Sequence, residues 1–548
     1  MPGFHVENFG CRAARADGEA VSDRLCAAGL AEQQPSDADV VIVNTCSVTA
    51  EADRAARAYI RRAHRVNPEA RILVTGCYAQ RAPEELAGIK GVAAVVGNSH
   101  KALAPQIALG LAQRSTERTD PRQTPQGPVS GSGHEFSRAA ISASPRVSDI
   151  QLPAGSGSLP GLVSVQSILL RIDGNQAAPI WADDRFAHSF LEEAQIVPGA
   201  QTRPNLKIQE GCGNRCTFCV IPQTRGSSRS LPAAAVLKQV EGFVAAGGNE
   251  LVVSGINLGR WGRDLSGSDR EALSSEVRDL SPSRQRDAAR MGRGGSAEDR
   301  TRWTFAGLVR KIFDQTALPR LRLSSIEPMD WDAELIGLMR EFAGGRLARH
   351  AHLPLQSGSD AVLRRMHRRY RPWHYEEKVR VLVEAVGPEL TLGADVMVGF
   401  PGETDAEFEE TLELVRKLPF GYLHLFPFSP RPGTRGWALH AERPVPARAV
   451  EERMAVLRVL AGEKSRAHRK RFVGSEVEAI TLHTPPELAT AGRTAALTEN
   501  FLPLELEGRL AVNRLVRVRV SGLNTDGTLV AEAVTGDPTQ YRAMTMSV

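Results

Sequence analysis

Three cysteines within eight residues constrain this chain more than any other feature. In the run QEGCGNRCTFCVIP, Cys212, Cys216 and Cys219 stand at spacings of four and three, directly after an apolar segment, Leu206 to Gln209, that reads as a strand. A loop of this kind can wrap three thiolates around one compact centre. A structural zinc ion would want a fourth Cys or His to close its tetrahedron, and none stands within twenty residues on either side. A four-iron cluster held by three cysteines leaves one iron without a protein ligand, and an open iron is a reaction site.

The rest of the chain sets the context for that loop. Its 548 residues are too many for one ordinary domain. No apolar run approaches the ~20 residues that span a bilayer, and the first residues, MPGFHVENFGCRAARADGEA, lack the pattern of a secretory signal. Seven cysteines are an odd number for a disulfide framework, so a reducing cytoplasm with thiolates as metal ligands is expected. The net charge of +5 over this length does not by itself identify a nucleic-acid partner.

Hydrophobic patterning divides the chain. Residues 1–112 alternate short apolar runs (Val40 to Val43, Ile72 to Val74, Val92 to Val96) with helical stretches, which predicts an α/β domain with a parallel sheet. Residues 113–200 read as a Ser/Gly/Pro-rich linker or insertion, with a strand at Val163 to Ile172 and a short helix at Ser189 to Ile196. Residues 201–437 hold six β-α steps, the pattern of a complete or partial barrel whose chemistry lies at the carboxyl ends of its strands. Within them, 263–301 carries eight arginines and eight acidic residues and reads as a solvated insertion. A charged helix is expected over 438–471. Residues 472–548 show short alternating strands, Val477 to Leu482, Ala495 to Leu506 and Leu515 to Val520, which predict a small β-barrel.

A second set of cysteines is dispersed. Cys11, Cys46 and Cys77 are separated by 35 and 31 residues, yet each lies just beyond the carboxyl end of a candidate strand. In an open parallel sheet those ends share one edge, so the three can converge on a second centre; three separately buried cysteines is the plainer alternative. Cys26, inside the amphipathic run DGEAVSDRLCAAGL, reads as a packed or surface thiol. In LVRVRV, Arg517 and Arg519 point away from the apolar side. With Arg514 they offer a basic strand face, suited either to phosphate contacts or merely to solubility.

The CxxxCxxC loop after a first barrel strand resembles the radical S-adenosylmethionine (SAM) superfamily. Cys11, Cys46 and Cys77 ahead of such a barrel, with a small β-barrel behind it, resemble the methylthiotransferases. The likeness is carried by NFGC, NTCSVTAEADR, GCYAQR, CGNRCTFCVIPQTRG, SGINLG, LSSIEP, HLPLQSGS and FPFSPRPGT. The runs Val48 to Arg54 and GINLG are most similar to the subfamily acting on N6-threonylcarbamoyladenosine in tRNA.

The resemblance implies an α/β chain with a radical SAM barrel and a TRAM-like RNA-binding barrel. It implies two 4Fe–4S clusters, held by the two cysteine triplets, with SAM as the other cofactor. One SAM methylates a sulfur at the first cluster; a second is split at the other, and its radical activates C2 of the adenosine at position 37, beside the anticodon. Gly247, Gly248 and Glu250 would receive the SAM amine, and Gly399 and Gly402 would form a further SAM-binding motif. Arg514, Arg517 and Arg519 would bind RNA, and no catalytic side chain beyond the six ligands is implied. Flavodoxin or ferredoxin would donate electrons to a monomeric enzyme. Isopentenyladenosine or a ribosomal-protein aspartate are alternative substrates, and a non-catalytic iron–sulfur RNA-binding redox sensor is the alternative class. One departure stands out: Ala14 occupies a position where the family often has Asn, although Asp17 and Glu19 match.

Overall fold

The computed structural model describes residues 2–118, 178–184, 186, 202–265 and 304–534. The chain forms two compact units: Met1–Phe190 with Gln223–Gly226, and Leu191–Pro222 with Ser227–Val548.

In the first unit the apolar runs become a six-stranded sheet, all parallel, in the order β2-β1-β3-β4-β5-β6. Its strands are β1 (Gly3–Asn8), β2 (Ala31–Glu32), β3 (Val40–Thr45), β4 (Arg71–Gly76), β5 (Val92–Gly97) and β6 (Ile180–Trp181). Because side chains alternate along a strand, β3 feeds both faces. Val40 and Ile42 pack with Val21 and Leu25 of the helix Arg12–Ala27, and Val41 and Val43 with Ala56 and Ile60 of the helix Ala50–Val66. The doubly covered parallel sheet is as expected. The strand β6 falls inside the stretch read as linker, and the helix Ala104–Arg118 runs on past residue 112. The strand and helix expected at Val163 to Ile172 and Ser189 to Ile196 lie outside the described residues.

In the second unit, β7 (Asn205–Glu210), β8 (Arg229–Ser230), β9 (Glu250–Gly255) and β10 (Arg320–Leu323) form a sheet in the order β10-β9-β7-β8. A second, parallel sheet holds β11 (His350–His352), β12 (Thr391–Val398) and β13 (Phe420–Pro427). The bridge Leu321 to Leu347 and the bond from Ile326 N to His352 O (3.0 Å) join them at β10 and β11, which makes a partial barrel. One apolar core, with Leu206, Leu251, Leu321, Ala351, Ala394 and Phe420 from the strands, packs against the surrounding helices. The insertion at 263–301 is described only as far as Leu265.

The charged stretch after the barrel is two helices, Arg435–Glu442 and Ala447–Lys470. Pro444 and Pro446 separate them, since proline supplies no backbone N–H and blocks the preceding turn. Beyond lies a closed barrel of β14 (Glu476–Thr481), β15 (Arg493–Thr498), β16 (Pro503–Glu507), β17 (Leu515–Leu523) and β18 (Leu529–Ala533). The single strand expected over Ala495 to Leu506 is split by a tight turn. Thr498 N donates to Leu502 O at 3.0 Å, and Phe501 takes a φ of 71°. The small barrel seats on the amino ends of the partial barrel's strands: Arg349 Nε meets Glu499 Oε1 at 2.6 Å, and Asn249 Nδ2 reaches Asn513 O at 2.8 Å.

Candidate iron–sulfur centres

In the first unit all three dispersed cysteines lie at the carboxyl edge of the sheet. Cys11 follows β1 and begins the helix Arg12–Ala27, Cys46 follows β3, and Cys77 follows β4. Strands β1, β3 and β4 are neighbours, so the three turns are adjacent. Gly10 takes a φ of +107°, and a Cβ there would meet Cys46 Cβ at 2.6 Å and Sγ at 2.8 Å; only glycine lets the Cys11 turn come this close. Thr49 Oγ1 caps the helix Ala50–Val66 by accepting from Ala52 N (3.2 Å), which fixes the chain leaving Cys46.

Nitrogen donors converge on two of these sulfurs. Val48 N approaches Cys46 Sγ at 3.5 Å, while Asn98 Nδ2 and Arg225 Nε reach Cys77 Sγ at 3.4 and 3.2 Å. Arg225 belongs to the first unit, and its Nη1 also bonds Asp17 Oδ2 at 3.0 Å. Burial, then the neighbouring Cys77, pushes the Cys46 thiol up to about 12. A buried thiol raised in this way serves as a thiolate ligand only beside a cation, and a thiolate-ligated iron centre supplies one. At Ala14, where the family often has Asn, the backbone carbonyl accepts from Asn44 Nδ2 (2.5 Å), which also donates to Asn8 Oδ1 (2.9 Å). Cys26 is exposed within its helix.

In the second unit the loop carrying Cys212, Cys216 and Cys219 leaves the carboxyl end of β7. Asn214 N and Asn257 Nδ2 point at Cys212 Sγ (3.4 and 3.6 Å), and Arg368 Nη1 at Cys216 Sγ (3.3 Å). Arg368 is in turn held by Glu327 Oε2 at 2.6 Å. The loop is strapped by Thr217, whose N donates to Met366 O and whose hydroxyl donates to Arg365 O. Burial, then Cys216 and Cys212, pushes the Cys219 thiol up to about 12, the same signature as at Cys46. Both donor sets, three thiols with N–H groups trained on sulfur, fit a four-iron cluster with one open iron.

The glycine expectations divide. Gly247 and Gly248 precede β9 and Glu250 opens it, whereas β9 runs parallel to β7. These residues therefore sit at the edge opposite the cysteine loop, about six residues or ~20 Å of strand away. They cannot receive a ligand of that cluster, which corrects the SAM-amine assignment. Gly247 N donates to Val244 O and Gly248 N to Phe243 O, both at 2.9 Å, the pattern of a glycine helix terminus after Ala233–Ala245. Glu250 is buried against Arg322 (2.8 Å), Arg203 (3.4 Å) and Arg320 (3.5 Å). The turn that does border the loop is Gly255 to Asn257, where Asn257 N donates to Gln209 Oε1 at 2.7 Å. Gly399 and Gly402 follow the carboxyl end of β12 with φ of 77° and 73°, and a Cβ at Gly399 would strike Val450 Cγ2 at 2.5 Å. Arg225, Asn98 and Arg368 were not singled out from sequence, because their partners are 148, 21 and 152 residues away. Arg514, Arg517 and Arg519 are exposed at and before β17, while Val518 and Val520 fill the barrel core. Arg519 pairs with Glu476 at 2.6 Å.

Residues 3–97 match the family described as "Uncharacterized protein family UPF0004", and residues 206–415 match the radical SAM superfamily. The protein is thus a radical SAM enzyme with an added cysteine-bearing α/β domain. Full-length relatives narrow the class. The "Threonylcarbamoyladenosine tRNA methylthiotransferase MtaB" of Treponema pallidum is 30% identical over 97% of this chain and 100% of its own. That of Aquifex aeolicus is 29% identical over 94% and 99%. The "tRNA-2-methylthio-N(6)-dimethylallyladenosine synthase" of Sorangium cellulosum is 30% identical over 91% and 85%. The chain belongs to the radical SAM tRNA methylthiotransferases, most like those named for threonylcarbamoyladenosine. It is a transferase acting on tRNA, with 4Fe–4S clusters and SAM as cofactors. The aspartate-modifying and sensor readings are set aside by this membership. Among the described residues no helix is long and apolar enough to cross a membrane.

Proposed function

We propose that the enzyme methylthiolates C2 of N6-threonylcarbamoyladenosine at position 37 of tRNA, giving 2-methylthio-N6-threonylcarbamoyladenosine. The observation carrying this choice is the run Val48 to Arg54, whose threonylcarbamoyladenosine-type pattern is built into the surroundings of Cys46. Thr49 caps the helix, Asp53 Oδ2 pairs with Arg81 Nη2 at 2.7 Å, and Arg81 Nε bonds Ser47 Oγ at 2.7 Å.

In this reading Cys212, Cys216 and Cys219 hold the cluster that meets SAM, and Cys11, Cys46 and Cys77 hold the auxiliary cluster. When bound, these groups supply a substrate radical and a methylated sulfur. The chain's own part is to hold the sulfurs, direct N–H dipoles at them and keep water away. Backbone at Gly255 to Asn257 and at Gly399 and Gly402 lines the carboxyl edge where SAM would lie. Arg514, Arg517 and Arg519 contact RNA phosphates, and an unpaired anticodon-loop base is the kind that can be splayed out for chemistry. The enzyme works as a monomer in the cytoplasm, with flavodoxin or ferredoxin as electron donor.

Anaerobic assay of the cluster-loaded enzyme with SAM and dithionite, on tRNA bearing either modified adenosine, tests the choice by mass spectrometry of digested nucleosides. The methylthio product is expected from threonylcarbamoyladenosine. Product from isopentenyladenosine alone would overturn it.

A further inference from the structure

The partial barrel carries a constellation that cluster chemistry does not use. His352 ends β11, Asp395 lies in β12 and His424 in β13, three adjacent parallel strands. His352 is registered with Gly393, two residues before Asp395, and Asp395 is registered with His424. Alternation therefore puts all three side chains on one face, while Ala351, Leu353, Ala394 and Val396 go to the apolar core behind them.

On that face the side chains converge. His424 Nδ1 is 3.2 Å and His352 Nε2 3.3 Å from the same atom, Asp395 Oδ1. One ligand atom from each of the three residues lies within 4.8 Å of the others. His352 is only 7% exposed; its Nε2 has no contact beyond the one to Asp395, and its Nδ1 has no hydrogen-bond partner among the described residues. A buried imidazole so sparsely partnered calls for a further partner. Tyr422 stacks on its ring (centroids 5.9 Å apart, planes 20°) and keeps it in place.

We propose that His352, Asp395 and His424 form a mononuclear site for a divalent transition-metal ion of the zinc or ferrous class, separate in donor chemistry from both sulfur-ligated clusters. Nitrogen and oxygen ligands at about 2.0–2.1 Å from a tetrahedral ion are about 3.3 Å apart, which matches the separations of 3.2 and 3.3 Å from Asp395 Oδ1. Two imidazoles and one carboxylate suit these ions and leave a fourth position for water or substrate. His424, whose side chain is 61% exposed, gives that position access to solvent. This inference goes beyond the proposed substrate and does not depend on it.

The test uses the full-length enzyme reconstituted anaerobically, so that the six cysteines are already occupied. After incubation with zinc and desalting, zinc and iron are counted by elemental analysis for the native chain, His424→Ala and Asp395→Asn. About one zinc per native chain is expected, falling at least tenfold in both variants at unchanged iron content. Less than a tenth of an equivalent in the native protein, or equal zinc in all three, would overturn the site. X-ray absorption at the zinc edge of the native protein decides the matter without variants. A first shell of nitrogen and oxygen near 2.0 Å supports the site, and sulfur near 2.3 Å refutes it.

Discussion

Arg225 donates through Nε to the sulfur of Cys77 at 3.2 Å while its Nη1 grips Asp17 at 3.0 Å. The guanidinium is fully buried, and Asp17 is shared with Lys101 at 3.3 Å. A cation so placed stabilises a thiolate and any anionic cluster bound through it. Outer-shell donors of this kind typically govern metal affinity or activity by 10–100-fold. Replacing Arg225 by Leu should therefore leave the fold intact, lower methylthiolation roughly tenfold or more and shift the auxiliary cluster's reduction potential. An unchanged potential by redox titration would remove Arg225 from the centre.

Gly10 offers a sharper steric test. Alanine there needs a φ near +107° and puts its Cβ 2.6 Å from that of Cys46. Gly10→Ala should displace the Cys11 turn and lose the auxiliary cluster. Iron per reconstituted chain should then fall from about eight to about four, with SAM cleavage preserved.

Glu250 separates the two glycine assignments. It is fully buried, and although burial opposes ionisation, Arg322 and Arg203 hold its carboxyl down at about 2. Glu250→Gln strands buried guanidinium groups, which typically costs about 3–5 kcal/mol. Calorimetry should show a Tm lowered by several degrees, and equilibrium dialysis should show SAM affinity unaltered.

His468 confers a pH dependence on the helix Ala447–Lys470. Its ring is buried with Nε2 2.9 Å from Thr391 Oγ1, and burial, then Arg471 and Arg469, brings its pKa down to about 4. The folded ring binds a proton less readily than the unfolded one. Its contribution is complete above about pH 6.5 and is lost as pH falls toward 4, amounting to at most about 3 kcal/mol. Denaturant titrations of His468→Gln against the native chain should show a stability difference that narrows through that window.

Among the described residues Arg517 forms no ion pair, whereas its neighbour on the strand face, Arg519, is tied to Glu476. Arg517→Glu should weaken tRNA binding and lower the slope of log affinity against log salt by about one or two. A slope equal to that of the native chain would mean the barrel face does not touch RNA.

Much of this arrangement is legible in the sequence because it is local. VVIVNT, ILVTG and the strand before Cys212 each announce themselves by apolar runs, and parallel pairing then dictates that their following cysteines share an edge. The Gly247-Gly248 pair misleads for a local reason too. A helix terminus and a ligand-binding turn use glycine for the same backbone freedom, and only strand direction tells them apart. Gly248 is further required because a Cβ would lie 2.2 Å from the Phe243 ring. Arg225 on Cys77, Arg368 on Cys216 and the His352–Asp395–His424 group were hidden because each joins positions brought together only by the tertiary fold.

The seat of the C-terminal barrel has a practical consequence. Arg320 is paired with Glu478, Arg322 Nη2 with Thr498 O (3.3 Å) and Arg349 with Glu499, so the basic floor of the catalytic half is neutralised partly by the last domain. A chain truncated before Glu476 would strip these arginines of partners and destabilise the catalytic half. Failure of such a deletion to modify tRNA would then report a damaged foundation rather than a lost RNA grip.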